Sequence, residues 1–92
     1  MSAEVVRTVR IVNQYGLHAR PAAEFVKRAG KFGANVWVRK DDVEVNGKSI
    51  MGVMMLAAAK GSTIVIETEG ADEVEVLDAL EQLVRDRFGE AE

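Results

Sequence analysis

An open-faced α+β sandwich, ordered β-α-β-β-α-β-α, is the fold this sequence predicts. Its apolar period switches between two and about 3.6 along the chain, which separates strands from helices. Glycines and turn-forming pairs punctuate the switches. No segment repeats and none reads as a linker. A four-stranded, mostly antiparallel sheet with three helices on one face then buries each apolar stripe once. With 92 residues, 48% of them hydrophobic, residues 1–92 are enough for a single domain and too few for two.

Residues 4 to 12 read as the first strand, because Val5, Val9 and Ile11 fall on one side of a β-branched, period-two segment. Asn13 to Gly16 breaks it. From Ala22 the stripe becomes Ala22, Phe25, Val26 and Ala29, the face of an amphipathic helix ending near Gly30 or Gly33. Val36 and Val38, then Val43 and Val45, predict a hairpin joined by Lys40, Asp41 and Asp42, with Trp37 on the outer face. Asn46-Gly47 signals a turn, and Ser49 is a good N-cap for a short helix beginning Ile50-Met51, which Gly52 is expected to interrupt. Gly61 marks the exit into a strand from Thr63 to Thr68, with Ile64 and Ile66 facing in. After Gly70, Asp72 and Glu73 suit the positive end of a last helix, and Arg85 and Arg87 its negative end. Val76, Leu77, Leu80 and Val84 make its buried stripe.

Composition removes several function classes. No apolar run approaches the ~18 residues of a membrane span, and residues 1–10 lack a secretory signal, so a cytoplasmic protein without a membrane partner is expected. There is no Cys and one His, which leaves no disulfide and too few ligands for a transition metal, and no cofactor is implied. Twelve basic against fifteen acidic side chains give a net charge of -3, without the positive bias of a nucleic-acid binder.

That single His18 stands three residues before the single Pro21, at the start of the first helix. Backbone N–H groups in a helix's first turn have no internal partners and carry partial positive charge, so the amides of Ala19 and Arg20 can receive phosphate there. Pro21 gives up only an N–H that would be unpaired anyway. The Arg20 guanidinium is a planar donor set for phosphate oxygens. The same positive end disfavours an imidazolium, so His18 is expected to be neutral, as a nucleophile must be, and Gly16 to allow a partner's close approach. The plainer reading makes His18 an exposed N-cap and Arg20 a solvated charge. Spacing alone leaves both open.

The segment GLHARPAA, residues 16–23, resembles the active-site motif of the HPr family, the histidine-containing phosphocarriers of the bacterial phosphotransferase system. A second segment, NGKSIMGVMML at 46–56, resembles the family's regulatory-serine region at the family's spacing, and GADE at 70–73 is family-like too. The resemblance implies that Nδ1 of His18 is phosphorylated by phospho-enzyme I, charged from phosphoenolpyruvate, and that the group passes to IIA domains. Such a carrier is not itself an enzyme. Arg20 carries over as the phosphate-stabilising residue, and Ser49 as the target of HPr kinase/phosphorylase. Partners would dock on Ala23, Lys27, Ile50, Met51 and Met54, where methionine adapts to different surfaces, although Met54 is equally well placed for the core. A monomer is expected.

Tyr15 departs from the sugar-transport pattern, in which Asn or Ser often stands there, and VNQYGLHARP is closer to the nitrogen-related paralogue NPr. A nitrogen-type regulatory phosphorelay is therefore the alternative within the family. A further alternative is a non-catalytic module binding RNA or protein through Arg20, Lys27, Arg28 and Lys31, though no RNA-stacking aromatic motif accompanies them. Gly47-Lys48-Ser49 is not a P-loop end, since that motif needs glycine where the chain has Asp42.

Overall fold

A computed structural model describes residues 5–91. It contains β1 (Val5–Arg10), α1 (Ala19–Ala29), β2 (Asn35–Lys40), β3 (Val43–Asn46), α2 (Ile50–Met55), β4 (Thr63–Glu69) and α3 (Glu73–Arg85), followed by a 3-10 turn, Arg87–Gly89. The strands lie in the order β1-β4-β2-β3, and every neighbouring pair is antiparallel. Register explains why the sheet has one apolar face. Val9 stands opposite Ile64, Val38 opposite Ile66 and Val36 opposite Thr68, all buried, while Thr8, Arg10 and Thr63 on the other face are exposed. The predicted open-faced sandwich is the fold observed.

Phe25, Ala22 and Ala29 of α1 and Val76, Leu77, Leu80 and Val84 of α3 close over that face, so the predicted α3 stripe is buried throughout and the α1 stripe is buried except at Val26, which is partly buried at the core's edge. At one end, Arg7 reaches from β1 to α3, with Nη1 2.6 Å from both Asp78 Oδ1 and Glu81 Oε1. The hydrogen bond from Arg7 holds the Glu81 carboxyl below its ordinary range, against the opposing pull of desolvation. The bonds that Arg7 donates to Asp78 and Glu81 in turn raise its guanidinium above its ordinary value.

Several expected boundaries move, each for a local reason. Ladder pairing of β1 stops at Arg10, and position 4 lies outside the described residues. Beyond it, buried Ile11 exchanges bonds with the loop before β4, its N–H to Ser62 O and its carbonyl from Gly61 N, both 2.8 Å. Lys40 belongs to β2, so the hairpin turn is Asp41-Asp42, with Asp41 at φ 54°. Gly52 does not interrupt α2. It lies inside the helix, where a Cβ would come within 3.2 Å of Val45 Cβ, so it lets α2 pack closely on β3. Arg87 falls beyond α3 in a left-handed conformation, φ 57°, and cannot serve that helix's last turn. Asp72 heads α3 but its carboxylate accepts from the amides of Gly33 and Ala34, at 3.0 and 2.8 Å, tying the α1–β2 loop to α3.

Candidate functional site

The loop between β1 and α1 is fixed from within. Asn13 is fully buried, and its side-chain amide donates to Gly16 O at 2.8 Å. Gly16 sits at φ 66°, and a Cβ there would lie 2.2 Å from Ala58 O. The Leu17 N–H donates to that same carbonyl at 2.9 Å. Gly16 is buried, so its glycine serves close approach by the chain's own 58–59 loop and not, as expected, by a partner.

This loop delivers His18 to the N-cap of α1, in extended conformation at φ -75°, ψ -173°. Its carbonyl accepts the first helical bond, from Ala22 N at 3.0 Å, but its side chain caps nothing. The amides of Ala19 and Arg20 therefore have no intrahelical acceptor, and Pro21 contributes no N–H. No acidic residue lies in this first turn, whereas Arg20 does, exposed. The imidazole is 41% exposed, with the Tyr15 ring edge-on at 6.2 Å between centroids and 89° between planes.

The other neighbour of His18 comes from the far end of the chain. Its Nε2 lies 3.0 Å from Glu90 Oε2, while Glu90 Oε1 accepts from Asn13 Nδ2 at 2.9 Å. Glu90 follows Arg87, Phe88 and Gly89, which stand at φ 57°, 55° and 80° in succession, with Phe88 buried. Tyr15, Arg20, Gly89, Glu90 and Ala91 line an open cleft of about 310 Å³ beside the imidazole. Sequence reasoning missed Glu90, since a contact spanning 72 residues leaves no trace in local periodicity.

Ser49 is the N-cap of α2, as predicted, and its Oγ accepts from Gly52 N at 3.1 Å. The short helix packs beside α1. Of the residues expected on a docking face, Ala23, Lys27, Ile50, Met51 and Met54 are all exposed, with Met54 at 38%. Val53 is the buried residue of α2. Met55, 72% exposed, extends this apolar surface, and its place four residues after Met51 could have revealed it. Among the described residues no group of three or more His, Cys, Asp or Glu is placed to hold a metal ion. None of their helices is long and apolar enough to cross a membrane.

Residues 5–86 match the family model described as PTS HPr component phosphorylation site. The chain belongs to the HPr family. It is similar to the phosphocarrier protein HPr of Neisseria meningitidis serogroup A, 54% identical over 86 residues, covering 94% of this chain and 97% of that one. The crystal structure of HPr-C-His from Thermoanaerobacter tengcongensis superposes with a TM-score of 0.89 at 48% identity, covering 98% of this chain and 99% of that one. A dimer of HPr from the same organism gives a TM-score of 0.76 at 49% identity, covering 89% and 94%. This HPr-family chain is thus a phosphocarrier of the phosphotransferase system by family.

Proposed function

We propose that Nδ1 of His18 accepts a phosphoryl group from phospho-enzyme I, derived from phosphoenolpyruvate, and passes it to IIA domains. The observation that carries this reading is a half-exposed imidazole at a helix start whose first amides are free, with an arginine in that same turn. Phosphoryl transfer depends on position and on charge stabilisation of the equatorial oxygens. Helix amides at Ala19 and Arg20 and the Arg20 guanidinium supply that charge. Identity of 54% to a protein named phosphocarrier protein HPr supports the carrier reading, and the nitrogen-type relay is the alternative within it. The RNA-binding alternative has no observation in its favour.

The protein works, in this proposal, as one cytoplasmic domain over residues 1–92 and as a monomer. Partners dock in turn on Ala23 and Lys27 of α1 and on Ile50, Met51, Met54 and Met55 of α2. Ser49 is a regulatory site, where HPr kinase/phosphorylase would add nearly two negative charges beside that surface. Incubation with enzyme I and phosphoenolpyruvate, followed by intact mass, tests the central claim. One acid-labile phosphate on wild type and none on His18→Ala is expected. No phosphate on wild type with a competent enzyme I would sink it.

A further inference from the structure

We propose that Met51 and Met55 form a redox-sensitive site, where hydrogen peroxide converts two thioethers to sulfoxides and so weakens docking of the phosphoryl donor. The oxidation follows from exposure, and its effect on transfer rests on the docking surface proposed above. Three of the chain's four methionines, Met51, Met54 and Met55, stand in one short helix, α2. With no Cys in the sequence, thioethers are its only sulfur open to oxidation. Which of them reacts depends on how freely the oxidant reaches each sulfur.

Helix α2 sorts its methionines by that measure. Met51 is 70% exposed and Met55 72%, whereas Met54 is 38% exposed. Met51 and Met55 are four residues apart, so they stand one above the other on the same face of the helix. Packing is carried by the other side. Val53, across the helix from Met51, is fully buried, and Gly52 lets the backbone approach Val45, where a Cβ would come within 3.2 Å of the valine Cβ. The start of the helix is closed by Ser49 Oγ on Gly52 N at 3.1 Å, without help from either sulfur. Oxygen can therefore be added to Met51 and Met55 while the core and the cap stay as they are.

In each oxidation the sulfur lone pair bonds to one peroxide oxygen as the O–O bond breaks, and the other oxygen takes up the proton of the first and leaves as water. Sulfur gives up two electrons and the peroxide gains them. The product replaces a flexible apolar group by a polar, chiral one whose oxygen is a hydrogen-bond acceptor. A partner that packs against thioethers presents apolar surface and no donor, so docking would bury the sulfoxide oxygens unpaired. Affinity falls while the chemistry at His18 is untouched. Sulfoxide reductases, one for each epimer, return the thioether, which makes the change reversible.

The test begins with graded hydrogen peroxide, followed by fragmentation of the tryptic peptide 49–60, which reads each methionine of α2 separately. Met51 and Met55 are expected to oxidise several-fold faster than Met54, with amide spectra outside α2 unchanged. Met54 oxidising as fast as the other two, or loss of the native spectrum, would overturn the proposal. Phosphotransfer from enzyme I to protein carrying both sulfoxides should show KM raised about tenfold, the scale of a buried unpaired acceptor, with kcat little changed. Treatment with both reductases should restore the KM of untreated protein. The double variant Met51→Leu, Met55→Leu, compared with itself before and after the same dose, should show no rise. An unchanged KM with both sulfoxides in place, when enzyme I shifts α2 amide signals in untreated protein, overturns the proposal alone. Enzyme I that leaves those signals unmoved defeats the docking reading, and the effect on transfer with it.

Discussion

The starts of α1 and α2 have the same backbone task and meet it in opposite ways. His18 and Ser49 are both N-caps in extended conformation, yet Ser49 gives its Oγ to Gly52 N while the His18 side chain turns away to Glu90. The first start also has a basic residue, Arg20, and no acidic one in its own first turn, the reverse of what the helix dipole favours. Ser49 closes its helix in the unmodified protein. His18 leaves its helix uncapped, and in the proposed function an arriving phosphoryl group would supply acceptor oxygens that the first turn of α1 lacks. The difference teaches that stability was set aside at one helix start and kept at its neighbour.

The strongest way to break this comparison is to remove the cation at the open start. Arg20→Ala is expected to slow phosphoryl uptake about 100-fold, or ~2.7 kcal/mol of barrier, the size of losing one preorganised charge-stabilising group. Resting stability should stay level or rise by about 0.5 kcal/mol, because a repelled charge leaves the helix end. Stopped transfer assays and urea denaturation together check both signs. A variant that lost stability and kept its rate would mean that Arg20 is merely structural.

Exchanging the caps sharpens the same contrast at smaller scale. Ser49→Ala should lose about 1 kcal/mol in urea denaturation, the usual worth of an N-cap side chain. His18→Ser should gain about 0.5 kcal/mol, because a new cap is partly offset by the lost exposed contact with Glu90. Ser49→Asp caps as well as serine, so its stability should match wild type within about 0.5 kcal/mol while its added charge slows uptake from enzyme I several-fold. Equal uptake rates for Ser49→Asp and wild type would argue against regulation at this residue.

What the sequence disclosed about these regions follows from how far each signal reaches. Phe25 with Val26, Ile64 with Ile66, and Ser49 before Ile50 are local patterns, set by helical or strand period and by capping chemistry, and each is found where it was expected. Gly52 and Gly16 were legible as glycines but not in their roles. Their meaning depends on Val45 and on Ala58, brought close only by packing. Glu90 was invisible for a further reason. The left-handed run at Arg87 and Phe88 uses residue types that carry no turn signature, so nothing local says that the chain reverses there toward His18.

The smallest expected effect lies away from both helix starts, at the ion pairs that join β1 to α3. There the Arg7 hydrogen bond depresses the Glu81 carboxyl below its ordinary value. A group lowered in the folded state favours folding fully above its unfolded value, and that contribution fades as pH falls through the folded one. Wild type should therefore exceed Glu81→Gln in stability by about 0.5 kcal/mol near neutral pH, since the pair is only partly shielded from solvent. Below the ordinary carboxylate range the two should converge, which urea denaturation across that interval measures. The His18 start should not respond: phosphoryl uptake by Glu81→Gln at neutral pH is expected to equal that of wild type, because neither Arg7 nor Glu81 touches the loop that carries the imidazole. A drop in uptake with this substitution would tie the open helix start to the rigid end of the sheet, and would mean that its cost in stability is shared by the whole fold and not confined to α1.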